Sequence, residues 1–281
     1  MDHIAWIGAE VDGQNLRVWA GSAEATALAQ TSGRWLAPDT PLRALDAIIA
    51  PWWQPGVLVL VAGLTGAATT ALPCAPVALA PMPDAATDHG VWWQVRDLTQ
   101  AKPVDRVSAV QALCLAGCLR GRPQFDGVIC LTGAHSLWAQ ISAGEVVSVT
   151  SAATGVLADA LVPTRPATAP QRPEGLALAA FDAALSDCLS RPERLARLLS
   201  AARLMPPDRA EATLHGALIG ADLASARPWW LGQAVLVLGT GTAPGLYARA
   251  LATQGVQATA GVVEVALLAG FAAAAATARN T

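Results

Sequence analysis

Apolar residues come first in short runs: 4–11, 16–21 and 25–31, parted by Gly, Asn and Ser in the manner of a β-meander. A helix is predicted over 41–50. The run 56–63, continuous in apolar residues and bounded by glycines, predicts a strand buried on both faces of a parallel sheet. Residues 72–104, proline-rich and without a clear period, read as a loop-rich excursion before a helix over 107–119. After the turn signal Gly121-Arg122-Pro123 the pattern begins again, with strands over 127–131, 137–142 and 146–150 and helices around 154–161 and 181–189. The proline-rich stretch 163–173 reads as an exposed linker. Helices then dominate to Ala226, including 210–224, where Leu214, Ala217, Leu218 and Ala221 recur at helical spacing. A strand from Ala234 follows, with the turn Gly239-Thr240-Gly241-Thr242 and a helix start near Pro244.

The three-strand opening thus occurs twice. In each copy the first strand runs into a small glycine-containing turn, Asp12-Gly13-Gln14-Asn15 and then Thr132-Gly133-Ala134-His135-Ser136, and a Trp-bearing strand follows. At 281 residues the chain exceeds a comfortable single core of roughly 150 residues and fits two domains or one large α/β unit; two α/β domains, 1–122 and 123–281, are the expectation. The strand–glycine turn–helix arrangement at 234–244 would aim backbone N–H groups and a helix N-terminus at an anion.

Composition narrows the function. Hydrophobic residues make up 53% and charged residues 14%, which predicts large cores and little disorder. A net charge of −3, with Lys102 the only lysine, leaves no cationic stripe for a run of phosphates, so nucleic acid is not an expected partner. The N-terminus carries Asp2 where a signal peptide needs a basic region, and no export is expected. The alanine-rich stretch 262–278 contains Glu264 and falls short of the ~20 apolar residues of a membrane span, so it reads as a buried helix. Five irregularly spaced cysteines suit a reducing compartment, the cytoplasm, and Cys114 and Cys118 read as core.

Four segments carry a family resemblance. Asn15-Leu16-Arg17-Val18-Trp19 resembles the end of the first phosphate motif of the 2-dehydro-3-deoxygalactonokinases, in which Asp-Trp-Gly-Ser/Thr-Thr precedes a similar Asn-Leu-Arg-x-Trp. Gly133-Ala134-His135-Ser136-Leu137-Trp138 resembles their Pro-Gly-Thr-His-Ser-Lys-Trp, and the segment from His215 to Asp222 resembles their Ser-Gly-Leu-Leu-Ile-Gly-Ala-Glu helix. Residues 239–247 fall at the family's nucleotide-side glycine turn, with Tyr247 and Arg249 in the helix after it. The resemblance implies two actin-like ATPase (ribonuclease H-like) domains with a cleft between them. It further implies an ATP- and Mg²⁺-dependent kinase acting on the 6-hydroxyl of 2-keto-3-deoxygalactonate. Such chemistry needs anion-binding loops, a carboxylate for the metal, one to orient the hydroxyl, and a cationic pocket for the substrate's carboxylate.

Departures fall on the chemistry. Glu10 and Asp12 stand at the first phosphate motif, as candidate catalytic acids and Mg²⁺ ligands or as a solvated turn. The family's Arg-Gly-Glu-Glu-Thr-Gln matches residues 106–111 with both glutamates gone, its Met-Thr-Gly-Glu falls near 150–153 without the acid, and its loop lysine is Leu137. Asp126, Glu145 and Asp159 lie near enough in sequence to substitute. Nucleotide contacts are expected from Gly13, Gln14, Gly133, His135, Ser136, Gly239, Thr240, Gly241 and Thr242, and substrate contacts from Arg17 and Arg106. Arg17 could equally bond a strand-end carbonyl, His135 a turn, and Asp222 a helix end rather than act as an acid. His215 reads as structural, and His3 and His89 have no partner pattern. Six of the ten tryptophans occur as adjacent pairs, 52–53, 92–93 and 229–230. Adjacent strand residues point to opposite faces, which favours packing over sugar stacking. A catalytically impaired homologue that senses a sugar acid or a nucleotide is the competing reading, and a third is a scaffold held through oligomer contacts at the Trp-rich surface, which predicts a stable homodimer with no ligand response.

Overall fold

The computed structural model describes residues 3–37, 40–87, 89–161 and 177–280. It divides into two compact units. The first comprises Met1–Asp126, Ile141–Val149 and Val262–Thr281, the second Gly127–Gln140 and Thr150–Gly261.

The first unit begins with the predicted meander: β1 (Trp6–Asp12), β2 (Asn15–Gly21) and β3 (Ala27–Arg34), antiparallel in sequence. Gly13 turns the first corner at φ +57°, a conformation open to glycine without strain. Helix α1 (Pro41–Ile49) starts on Thr40, whose hydroxyl accepts the Arg43 N–H at 3.3 Å. Strand β4 (Leu58–Ala62) returns parallel to β1.

Residues 72–104 are not the loop that their prolines suggest. They hold β6 (Met82–Thr87), β7 (Gly90–Gln94) and β8 (Asp97–Gln100), preceded by β5 (Thr69–Ala71) and followed by β9 (Asp105–Val107). These strands are short. Pro83 lies in β6, the edge strand of its sheet, the position at which a sheet tolerates proline. Strand β7 lies parallel to β4 and buries Trp92 completely. The sheets run β3-β2-β1-β4-β7-β6 and β5-β8-β9.

Helix α2 (Ala109–Gly121) begins two residues later than predicted because Ser108 and Gln111 form a capping box. Strands β10 (Gly127–Leu131), β11 (Ser136–Ser142) and β12 (Glu145–Ala152) repeat the meander; β10 and most of β11 belong to the second unit, while Ile141–Val149, the end of β11 and most of β12, group with the first. Among the described residues, the helices α3 (Thr154–Leu161), α4 (Leu178–Ser190), α5 (Leu195–Ala202), α6 (Pro207–Ser225) and α7 (Arg227–Trp230) follow, then β13 (Val235–Gly239) and α8 (Ala243–Ala252). Strand β14 (Thr259–Val262) completes a sheet ordered β12-β11-β10-β13-β14, with β13 parallel to β10. The order β12-β11-β10-β13 repeats β3-β2-β1-β4, so the duplication read from the sequence is a duplication of topology. Trp229 and Trp230 lie on α7 rather than on a strand, and Trp230 is core. The linker read over 163–173 lies outside the described residues.

The chain ends in α9 (Val263–Arg279), which belongs to the first unit. The N-terminal stretch of the first unit ends at Asp126, and the chain returns to that unit at Val262. Helices α9 and α2 cross in backbone contact: a Cβ on Gly117 would stand 1.8 Å from the Ala266 carbonyl oxygen, and one on Gly270 2.1 Å from that of Leu113. Phe271 of α9 stacks on Trp6 at 5.7 Å beneath β1. The opposite face of β1, Ile7, Ala9 and Val11, packs with Leu45 and Ile49 of α1. Among the described residues, no helix is long and apolar enough to cross a membrane.

Candidate functional site

Strands β10 and β13 are parallel neighbours, so their carboxyl ends deliver two turns side by side, 132–136 and 239–242. Thr132 joins them: its N–H donates to the Leu238 carbonyl at 2.7 Å and its hydroxyl to the same oxygen at 3.1 Å. Gly239 is required by that approach, since a Cβ there would lie 1.9 Å from Thr132 Oγ1. Gly133, Ala134 and His135 are exposed, as are Thr240, Gly241 and Thr242, the last at the N-terminus of α8. The Val156 N–H of α3 donates to the Ala134 carbonyl at 2.8 Å, tying the first turn to that helix. Carboxyl ends of adjacent parallel strands are where open α/β sheets bind ligands, and a helix N-terminus adds anion affinity.

Ser136 closes the first turn but is itself buried, and its hydroxyl donates to Asp222 Oδ2 at 2.5 Å. Asp222 lies in α6, 4% exposed, and also accepts from Thr154 Oγ1 at 3.0 Å, Trp138 Nε1 at 3.1 Å and the Tyr247 hydroxyl. It is neither the helix-end cap nor the accessible acid that the sequence left open. Burial and the Asp222 charge push the Tyr247 phenol well above its ordinary pKa, and the same two causes act on the Cys130 thiol. Both stay neutral.

In the first unit, Glu10 and Arg17 face each other across β1 and β2, with Arg17 Nη2 2.5 Å from Glu10 Oε2. Burial raises the Glu10 carboxyl above the usual carboxylate range, while the Arg17 guanidinium pulls it back and the nearby Asp12 charge adds to the rise. The Arg17 side chain remains 54% exposed, with its guanidinium 5.4 Å from the centre of the Trp19 ring. Asp12 is exposed at the strand end. The Gly13 carbonyl accepts from Trp35 Nε1 at 2.9 Å, and the Gln14 side chain accepts from Arg34 at 3.1 Å, so both are engaged within the turn's own surroundings.

Arg106 of β9 is paired with the buried Asp97, whose other oxygen accepts the Ala109 N–H at 2.6 Å at the start of α2. The two positions where glutamates are missing, Ser108 and Ala109, are thus the cap and the buried first residue of that helix. Leu137 is wholly buried in β11. Of the acids considered as substitutes, Asp126 accepts from the Ser142 hydroxyl at 2.9 Å, while Glu145 and Asp159 are exposed on β12 and α3. Among the described residues, no three His, Cys, Asp or Glu side chains gather into a metal-binding group. His215 lies 4.0 Å from Glu211, one helical turn away. The sequence placed Thr132 in a turn and Trp138 in a motif but suggested no role for either, and the one signal pointing to Thr154 was its place beside the acid-less motif at 150–153.

A family model described as 2-keto-3-deoxy-galactonokinase matches residues 13–274. The chain belongs to that family. The galactonokinase match begins at Gly13, so Glu10 and Asp12 precede it. A 2-dehydro-3-deoxygalactonokinase candidate from Sinorhizobium meliloti superposes with a TM-score of 0.83 at 23% identity, over 96% of this chain and 98% of that one. The activator of 2-hydroxyisocaproyl-CoA dehydratase from Clostridium difficile, solved with bound ADPNP, gives 0.53 at 10% identity over 98% and 95%. Component A of the (R)-2-hydroxyglutaryl-CoA dehydratase of Acidaminococcus fermentans gives 0.51 at 10% over 98% and 97%. These likenesses concern the fold, which is the actin-like, ribonuclease H-like architecture expected from the sequence. No curated protein gives a sequence match.

Proposed function

We propose that this galactonokinase-family chain is an ATP-dependent kinase that phosphorylates the 6-hydroxyl of 2-dehydro-3-deoxy-D-galactonate in the cytoplasm. The observation that carries the reading is the pairing of turns 132–136 and 239–242 at the carboxyl ends of β10 and β13. In this reading, the backbone amides of Gly133, His135, Thr240, Gly241 and Thr242 bind nucleotide phosphates, and the N-terminus of α8 adds its partial positive charge. Ser136 contributes backbone only, because Asp222 takes its hydroxyl. Gly13 and Gln14 supply the first-unit turn. Arg17, half-exposed and steadied by Glu10, and Arg106, steadied by Asp97, are the cations for the substrate's carboxylate. Asp12 is the exposed acid that orients the attacking hydroxyl.

Glu10 and Asp12, two residues apart on one strand, fit a Mg²⁺ that arrives with the nucleotide, because that ion takes one or two carboxylates and fills the rest with phosphate and water. Bound there, it would offset phosphate charge. The Arg17 contact on Glu10 and the absence of acids at Ala109 and Ala153 favour a second reading, a homologue that binds both ligands but turns over slowly or not at all. Thermal-shift titration with MgATP and with the sugar acid, run beside an ADP-release assay, separates the two. Stabilisation by both with ADP release supports the kinase; stabilisation without release supports the sensor; no response to either ligand removes both.

A further inference from the structure

Asp222 holds four hydrogen bonds and, among the described residues, no cation. Buried carboxylates are ordinarily paired with one. Here neutral donors do the work: the hydroxyls of Ser136, Thr154 and Tyr247 converge on Oδ2, and the Trp138 indole donates to Oδ1. Hydrogen bonds to a charged acceptor are about twice as strong as neutral ones. The raised pKa of Tyr247 keeps its phenol a donor to this carboxylate.

Each donor sits at a distinct joint of the second unit. Ser136 is the first residue of β11, directly after the turn that begins at Thr132. Thr154 is the first residue of α3, whose Val156 N–H holds the Ala134 carbonyl of that same turn. Tyr247 lies in the early part of α8, the helix that opens after the turn 239–242. One carboxylate therefore bonds the end of the first turn, the helix that holds that turn and the helix that follows the second, while Thr132 bonds the Leu238 carbonyl just before the second turn.

We propose that Asp222 is a positioning residue that fixes turns 132–136 and 239–242 relative to each other, holding their amides at the spacing a nucleotide's phosphates need. This rests on the nucleotide reading above. A catalytic role does not suit it, because the carboxylate is buried and both oxygens are occupied. The residue acts through Ser136, Thr154 and Tyr247.

The test uses the mild variants Tyr247→Phe, Thr154→Val and Thr154→Ser in the full chain, since Asp222→Asn risks losing the fold. Hydrogen exchange of the protein without nucleotide should show faster exchange at both 132–136 and 239–247 in Tyr247→Phe and in Thr154→Val. The cores of β10 and β13 should be unchanged, and Thr154→Ser should match the parent. In tryptophan-fluorescence titrations, the first two variants should bind MgATP about tenfold more weakly if the competent arrangement falls to about one molecule in ten. Affinity for 2-dehydro-3-deoxygalactonate should not change. Faster exchange confined to the neighbourhood of the substituted residue, or equal weakening of both ligands with exchange raised everywhere, overturns the proposal. If the parent protein itself binds no MgATP, the nucleotide reading falls, and the exchange pattern alone decides whether Asp222 couples the turns.

Discussion

Glu10 shares a face of β1 with Trp6 and Gly8, the face covered by α9, and this explains its chemistry. Burial makes its charged form costly, so its carboxyl holds a proton to higher pH in the folded chain than in the unfolded one. The folded state then binds more protons than the unfolded state across that interval, and stability declines as pH rises through it. Glu10→Gln abolishes this decline. In urea unfolding followed from pH 4 to pH 8, the variant should gain stability relative to the parent as pH increases, and parallel curves would refute the burial argument. Ala109 and Ala153 answer differently to the glutamates absent from them. Ala109 is wholly buried beside Asp97, so Ala109→Glu should destabilise the chain by about 3 kcal/mol or more, the cost of an unpaired buried charge. Ala153 is exposed ahead of α3, and Ala153→Glu should alter stability by less than about 0.5 kcal/mol. Thermal denaturation of the two variants checks both.

At the level of elements, strands β4 and β13 were legible because a parallel strand covered on both faces reads as an unbroken apolar run. Helices α2 and α9 were legible as buried helices from their uniform small and apolar residues. The strands β5 to β9 were not, because three to six residues leave too few alternations to show a period, and prolines at their margins imitate loop chemistry. The candidate site divides along the same line. Glycine turns announce themselves locally, whereas the donors to Asp222 stand 86, 84, 68 and 25 residues away, and no spacing rule links them. At the junction of the two turns, Gly239→Ala should cost about 1–3 kcal/mol by overpacking against Thr132. Its melting temperature should fall, and restoring room with Thr132→Ser, which keeps the hydroxyl bond, should not recover it, because the hydroxyl oxygen is itself the obstacle.

For the whole molecule, the repeated order of strands makes the chain two variations on one plan, with chemistry distributed unequally between them. In the proposed reading, the first unit supplies the acids Glu10 and Asp12 and the guanidinium groups of Arg17 and Arg106, and the second supplies the paired turns. Deleting residues 263–279 strips Phe271 from beneath Trp6 and leaves α2 without its partner, so the first unit should lose cooperative unfolding while the second keeps its protected amides. Hydrogen exchange on the truncated chain reads this directly.

The return of α9 to the first unit also orders events at the ribosome. Translation releases the first sheet and α2 early, yet the helix that covers them is made only after all of the second unit has been synthesised. At about 5–20 residues per second, that wait lasts on the order of ten seconds. Meanwhile Trp6 and Gly117 of α2 lack the helix that packs on them, and the inserted unit, whose residues are nearly contiguous, is the part that can finish folding first.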